Sequence, residues 1–66
     1  MDGQISFLKY YRIRQGLDQS ELGARVNMRQ SAIARAERLG GMSNMRATTL
    51  QKLAKALDVR MEDLLR

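Results

Sequence analysis

The sequence predicts an all-α fold of five short helices, and three observations lead to it. Proline is absent while Ala, Leu, Arg and Gln are abundant, a composition that favours helix. No stretch alternates apolar and polar residues over a useful strand length. Apolar residues instead recur at spacings of three and four, in segments punctuated by Gly and Asn.

The first helix is expected from about Ile5 to Gln15. Leu8, Tyr11 and Arg12 share its inner face, and Gly16 stops it because Gly adopts the left-handed conformation without a Cβ penalty. Tyr11 is expected to pack inward and Tyr10 to be partly exposed. The second helix runs from about Gln19 to Val26, with Asp18 as N-cap and Glu21 in the first turn. Leu22 and Val26, four apart, point inward. Gly23 costs this helix about 1 kcal/mol relative to Ala, which implies a close crossing by the next helix. Asn27 opens the following turn, since Asn tolerates left-handed backbone, and Met28 plugs the turn into the core.

The third helix is expected over Gln30–Arg38, with Ile33, Ala36 and Glu37 facing inward. Gly40 and Gly41 end it and open a loop reaching to about Ala47. Thr48-Thr49-Leu50-Gln51 reads as a capping box that starts the fourth helix, whose buried stripe is Leu50, Leu53, Ala54 and Leu57. Asp58-Val59-Arg60 is a short turn, and Met61 to Leu65 forms a last short helix. There is no internal repeat and no low-complexity tract.

Composition narrows the function. With 66 residues the chain is expected to be one domain, residues 1–66, with a marginal core. There is no Cys and no His, so disulfides, zinc fingers and catalysis by Cys or a Ser–His pair are excluded. No cofactor and no enzymatic activity are expected. Asp58, Glu62 and Asp63 form the only acidic cluster, which reads as a solvated helix N-terminus rather than a metal site. Apolar runs of two or three residues do not span a membrane. The first residues lack the pattern of a signal peptide, so a cytoplasmic, nucleoid-associated location is expected. Twelve Lys and Arg against seven Asp and Glu leave a net charge of +5, which fits a polyanionic partner.

Gln19 to Glu37, QSELGARVNMRQSAIARAE, combines two short helices, a three-residue turn and a polar surface at the start of the second helix. That is the helix-turn-helix pattern, expected over residues 19–38, whose second helix enters the major groove of DNA. Gln30, Ser31, Ala34 and Arg35 occupy the first turns and outward face of that helix. They are the candidates for contact with base edges: Gln bonds bidentately to adenine, Arg to guanine, and Ala34 offers only a methyl group or close approach. Arg29, Arg38, Asn44 and Arg46 flank the helix and its loop and suit the phosphate backbone.

G-L-D-Q at 16–19, E-L at 21–22, the N-M-R turn, Q-S-A-I-A-R-A-E at 30–37 and T-L-Q-K-L-A-K-A-L-D-V at 49–59, followed by E-D-L-L, stand in an order that resembles the Cro and repressor family of phage and bacterial helix-turn-helix regulators. The resemblance covers roughly Leu8 to Leu65. Gly23 replaces the family's usual Ala, Asn27 its turn Gly, and Arg29 its Ser or Thr before the third helix. The resemblance implies a compact five-helix, lambda-repressor-like domain that binds operator DNA as a dimer. It implies that Gln19 holds a phosphate and braces the recognition helix, and that Arg12 and Glu37 pair across the first and third helices as a structural ion pair.

The expected function is therefore sequence-specific binding of double-stranded DNA by a small transcriptional regulator, a repressor, with residues 30–38 in the major groove. The alternative is a protein-interaction module such as an antitoxin or a coactivator-like helical domain. One recognition helix covers too few base pairs for genomic discrimination. A homodimer on a palindromic operator, with half-sites about 10 bp apart or a multiple of that spacing, is thus expected. Met61, Leu64 and Leu65, or the 40–45 loop with Met42 and Met45, are the candidate dimer contacts.

Overall fold

Local signals decide where each helix begins and ends. The structure, a computed structural model, describes residues 6–38 and 45–65. The elements are α1 (Phe7–Arg14), α2 (Gln19–Val26), α3 (Gln30–Ala36), α4 (Ala47–Leu57) and α5 (Met61–Leu64). The expectations placed on Ile5, Gly40, Gly41, Met42 and Asn44 lie outside the described residues.

Ser6 caps α1, its hydroxyl accepting from the Lys9 N–H at 3.2 Å. At the other end Gly16 takes φ +72°. The Gly16 and Leu17 N–H groups then close on the Ile13 and Arg12 carbonyls at 2.9 and 3.2 Å, a Schellman stop that turns Leu17 into the core. The expected start of α2 holds. Asp18 Oδ1 accepts from the Glu21 N–H at 2.7 Å, and Glu21 Oε1 accepts from the Asp18 N–H at 2.8 Å. Each carboxylate thereby satisfies a backbone donor that the helix leaves free.

Asn27 ends α2 in left-handed backbone, φ 59° and ψ 44°, as its residue type predicts. The Met28 N–H donates to the Gly23 carbonyl at 2.7 Å, closing the turn. Gly23 is needed for a reason other than the expected helix crossing. A Cβ there would collide with the backbone carbonyl oxygen of Met28, so the turn itself lies against the helix that precedes it.

Besides small shifts at α1, which runs from Phe7 to Arg14, and at α5, which ends at Leu64, two boundaries differ from expectation. The third helix stops at Ala36, with Glu37 as its C-cap and Arg38 beyond it. α4 begins at Ala47, with Arg46 as a cap that makes no side-chain bond. The Leu50 N–H bonds the Arg46 carbonyl at 3.0 Å, so Thr48 already lies inside the first turn and the Thr48–Gln51 capping box is not formed. Ala47, the best helix former, carries the helix upstream past the threonine. α4 ends like α1: Asp58 takes φ 58°, and the Asp58 and Val59 N–H groups bond the Lys55 and Ala54 carbonyls at 3.2 and 3.0 Å. The Arg60 N–H, at the start of α5, donates to Asp63 Oδ2 at 3.0 Å.

The core sits where the inner faces of the five helices meet. Leu8, Leu22, Ile33, Leu53 and Leu57 are its largest fully buried side chains, each contributing about 1.5–3 kcal/mol of burial. The expected α4 stripe of Leu50, Leu53, Ala54 and Leu57 is buried throughout. α2 packs on α3 and α4, while α5 packs on α4 and α1. Gln15 Nε2 reaches across to the Leu57 carbonyl at 3.2 Å and ties the end of α1 to the end of α4. The outcome for the site is simple: α3 is held by Ile33 and Ala36, and its opposite face is left to solvent.

Candidate nucleic-acid interface

The outward face of α3 carries the residues expected there. Gln30, Ser31 and Arg35 are exposed and Ala34 is half-buried, while Ile33 and Ala36 are in the core. The face is polar, small and rigidly backed. Gln30 begins the helix directly after the turn, so it projects from the N-terminal end of α3.

A chain of hydrogen bonds runs from the core to this leading residue. Arg12 and Glu37 are both buried. Arg12 Nε donates to Glu37 Oε2 at 2.5 Å and Nη2 to Glu37 Oε1 at 3.3 Å. Arg12 Nη1 donates to the Leu17 carbonyl at 2.7 Å. The expected ion pair across α1 and the end of α3 therefore has the third guanidinium nitrogen of Arg12 met by backbone. Glu37 does more than pair. Its Oε1 also accepts from Gln19 Nε2 at 3.0 Å, and Gln19 Oε1 accepts from Gln30 Nε2 at 2.5 Å. Gln19, at the first position of α2, thus bridges Gln30 at the start of α3 and Glu37 at its C-cap. Gln30 and Glu37 are seven apart, two helical turns, and so lie along nearly one strip of the helix surface. That spacing was the one sequence signal that could have tied Glu37 to the interface.

A family model described as helix-turn-helix matches residues 8–64. The chain belongs to the Cro/C1-type helix-turn-helix family. This is a family of DNA-binding regulators. No curated protein matches the sequence.

Around α3 of this Cro/C1-type domain, Arg29, Arg35, Arg38 and Arg46 are exposed. Among the described residues none of the four is paired with a carboxylate. Arg46 sits at the start of α4, and Arg38 just past the end of α3. Asn44 lies outside the described residues. An open groove of about 470 Å³ between the end of α2 and α4 is edged by Arg25, Lys52 and Lys55 over Val26 and Ala56. It adds positive charge beside the turn.

The residues expected to form a dimer patch divide. Leu64 is buried, and Met61 and Met45 are half-buried against the core, so these three serve the packing of a single chain. Among the described residues, only Leu65, the C-cap of α5, remains as an exposed large apolar residue, together with Phe7, Tyr10 and Ile13 on α1. The exposure of Tyr10 was expected, but nothing in the sequence placed Phe7 and Ile13 beside it as an exposed apolar stripe. Tyr10 is anchored there by its neighbours: its ring meets Tyr11 edge-on at 5.1 Å, and Arg14 lies 5.5 Å from its centroid and donates to its hydroxyl at 3.0 Å.

Proposed function

We propose that this domain binds double-stranded DNA sequence-specifically as a small transcriptional regulator, a repressor acting in the cytoplasm, with α3 in the major groove. Residues 1–66 act as one DNA-binding unit in this reading. The observation that carries it is the Gln19–Gln30 bridge: a base-reading side chain at the leading end of α3 is braced by hydrogen bonds anchored in a buried ion pair. Preorganisation of that kind has no use on a merely solvated helix face.

Gln30, Ser31, Ala34 and Arg35 contact base edges, with Gln30 and Arg35 supplying the hydrogen bonds that discriminate. Gln19, Arg29, Arg38, Asn44 and Arg46 hold phosphates and set register and affinity. The polar character of the α3 face supports DNA over an antitoxin-like or coactivator-like protein partner, which would need apolar anchors there. Two copies read a palindromic operator with half-sites about 10 bp apart. Leu65, the exposed C-cap of α5, is the residue offered for the contact between them.

Selection from a random duplex pool, followed by binding to the selected duplex and to a scrambled one at the same salt concentration, tests the reading. A preference of about a thousandfold or more is expected. Equal affinity for the two duplexes would refute sequence-specific binding.

A further inference from the structure

We propose that Glu37 acts through Gln19 to fix which way round the Gln30 amide faces the DNA, and so selects adenine over guanine at the base pair Gln30 reads. The inference rests on the reading above, in which α3 enters the major groove. Glu37 is here a positioning residue that never touches a base.

The chemistry follows from donors and acceptors. A carboxylate offers only acceptors, and Glu37 already receives both Arg12 Nε and Nη2. The atom of Gln19 that faces Glu37 must therefore be its NH2 group, as the 3.0 Å contact has it. The other end of the Gln19 amide is then its carbonyl oxygen, which can only accept. Gln30 consequently presents its own NH2 group to Gln19, at 2.5 Å. One of the two Gln30 N–H donors is consumed. One N–H and the free Oε1 remain to meet DNA.

A donor beside an acceptor complements the major-groove edge of adenine, where N7 accepts and the N6 amino group donates. Guanine presents two acceptors, N7 and O6. Against it Gln30 Oε1 would face O6, lone pair to lone pair. The buried charge of Glu37 thus sets amide polarity two residues away, with no contact of its own at the interface.

The variant Glu37→Gln should reverse the relay. Arg12 Nε still requires an acceptor, so the new amide oxygen takes the place of Oε2; its NH2 group takes the place of Oε1 facing Gln19, at the loss of the 3.3 Å bond from Arg12 Nη2. Gln19 then turns its oxygen to residue 37 and its NH2 group to Gln30. Gln30 turns Oε1 inward and is left with two N–H donors, the complement of guanine. A second variant, Gln19→Leu, leaves the Arg12–Glu37 pair intact and removes the relay, freeing both Gln30 donors.

The experiment measures affinity for duplexes that carry A or G at the position identified by loss of preference in Gln30→Ala. Thermal melts first establish that each variant is folded at the working temperature. Wild type is expected to prefer A, and the A-to-G affinity ratio should fall by roughly fivefold or more in Glu37→Gln and in Gln19→Leu. If Glu37→Gln does not fold, Gln19→Leu decides. A folded variant with the wild-type A-to-G ratio would overturn the polarity relay, as would a wild-type preference for a base other than A. If instead Gln30→Ala changes preference at no position, the major-groove reading itself fails, and the relay with it.

Discussion

Replacing Glu37 by Ala should be among the most damaging single changes in this domain. It removes the acceptor for Arg12 Nε at 2.5 Å and Nη2 at 3.3 Å and leaves Nη1 on the Leu17 carbonyl. The side chains of the pair are only 10% and 5% exposed, so water has little access to the stranded guanidinium. Breaking one partner of a buried pair costs about 3–5 kcal/mol, chiefly because the other charge is left uncompensated. At about 0.05–0.15 kcal/mol per residue a chain of this size has roughly 3–10 kcal/mol in total. The loss therefore takes much or all of the stability. Each kcal/mol shifts the midpoint of a small domain by about 4–8 °C, so far-ultraviolet circular dichroism should report a Tm at least ~12 °C lower, or no cooperative melt at all. The double variant Arg12→Met with Glu37→Leu separates charge from packing. Apolar replacement of both partners of a buried pair is often close to neutral, so it should recover most of the loss. An unshifted melt for Glu37→Ala would refute the buried pair. A double variant as unstable as the single one would show that packing, not stranded charge, carries the cost.

Gly23→Ala sets a gain of about 1 kcal/mol in helix propensity against a Cβ forced onto the Met28 carbonyl, where overpacking costs about 1–3 kcal/mol. Denaturant titration should show a net loss, and a net gain would mean that the turn yields freely. Arg46→Ala should weaken binding to specific and scrambled duplexes alike, lowering the salt slope by about 0.9; an unchanged slope removes Arg46 from the phosphate contacts. Leu65→Glu should leave the melt of the monomer unchanged, because Leu65 is 51% exposed, and should lower the sedimentation coefficient of any dimer at micromolar concentration. Identical sedimentation of both proteins as dimers would place the interface elsewhere.

Much of this fold was legible because local rules agree with one another. Asp18 and Glu21 mark the start of α2 without help from the rest of the chain, and Gly16 and Asn27 stand where left-handed backbone is required. The α4 stripe is periodic enough to name its buried residues. Legibility ended where two local rules competed or where a contact is purely tertiary. At the start of α4 the propensity of Ala47 outweighed the cap offered by Thr48. Gly23 announced a close approach, but only the folded turn identifies the Met28 carbonyl as what approaches. The exposed α3 residues followed from periodicity. The bridge from Glu37 through Gln19 to Gln30 did not, because Gln19 belongs to another helix and reaches both partners only once α2 and α3 are packed. The fate of Leu64 likewise depended on how α5 lies against α4 and α1.

The central claim is that the outward face of α3 reads bases, and position-resolved binding tests it most directly. The affinities of wild type, Gln30→Ala and Arg35→Ala are measured on the selected duplex and on every single-base-pair variant of it, at one salt concentration. Each alanine variant should lose about 1–3 kcal/mol on the selected duplex and relax discrimination at one position, with the two positions close together. If both variants retain the wild-type affinity and the wild-type preference at every position, α3 does not read the sequence and the account is wrong.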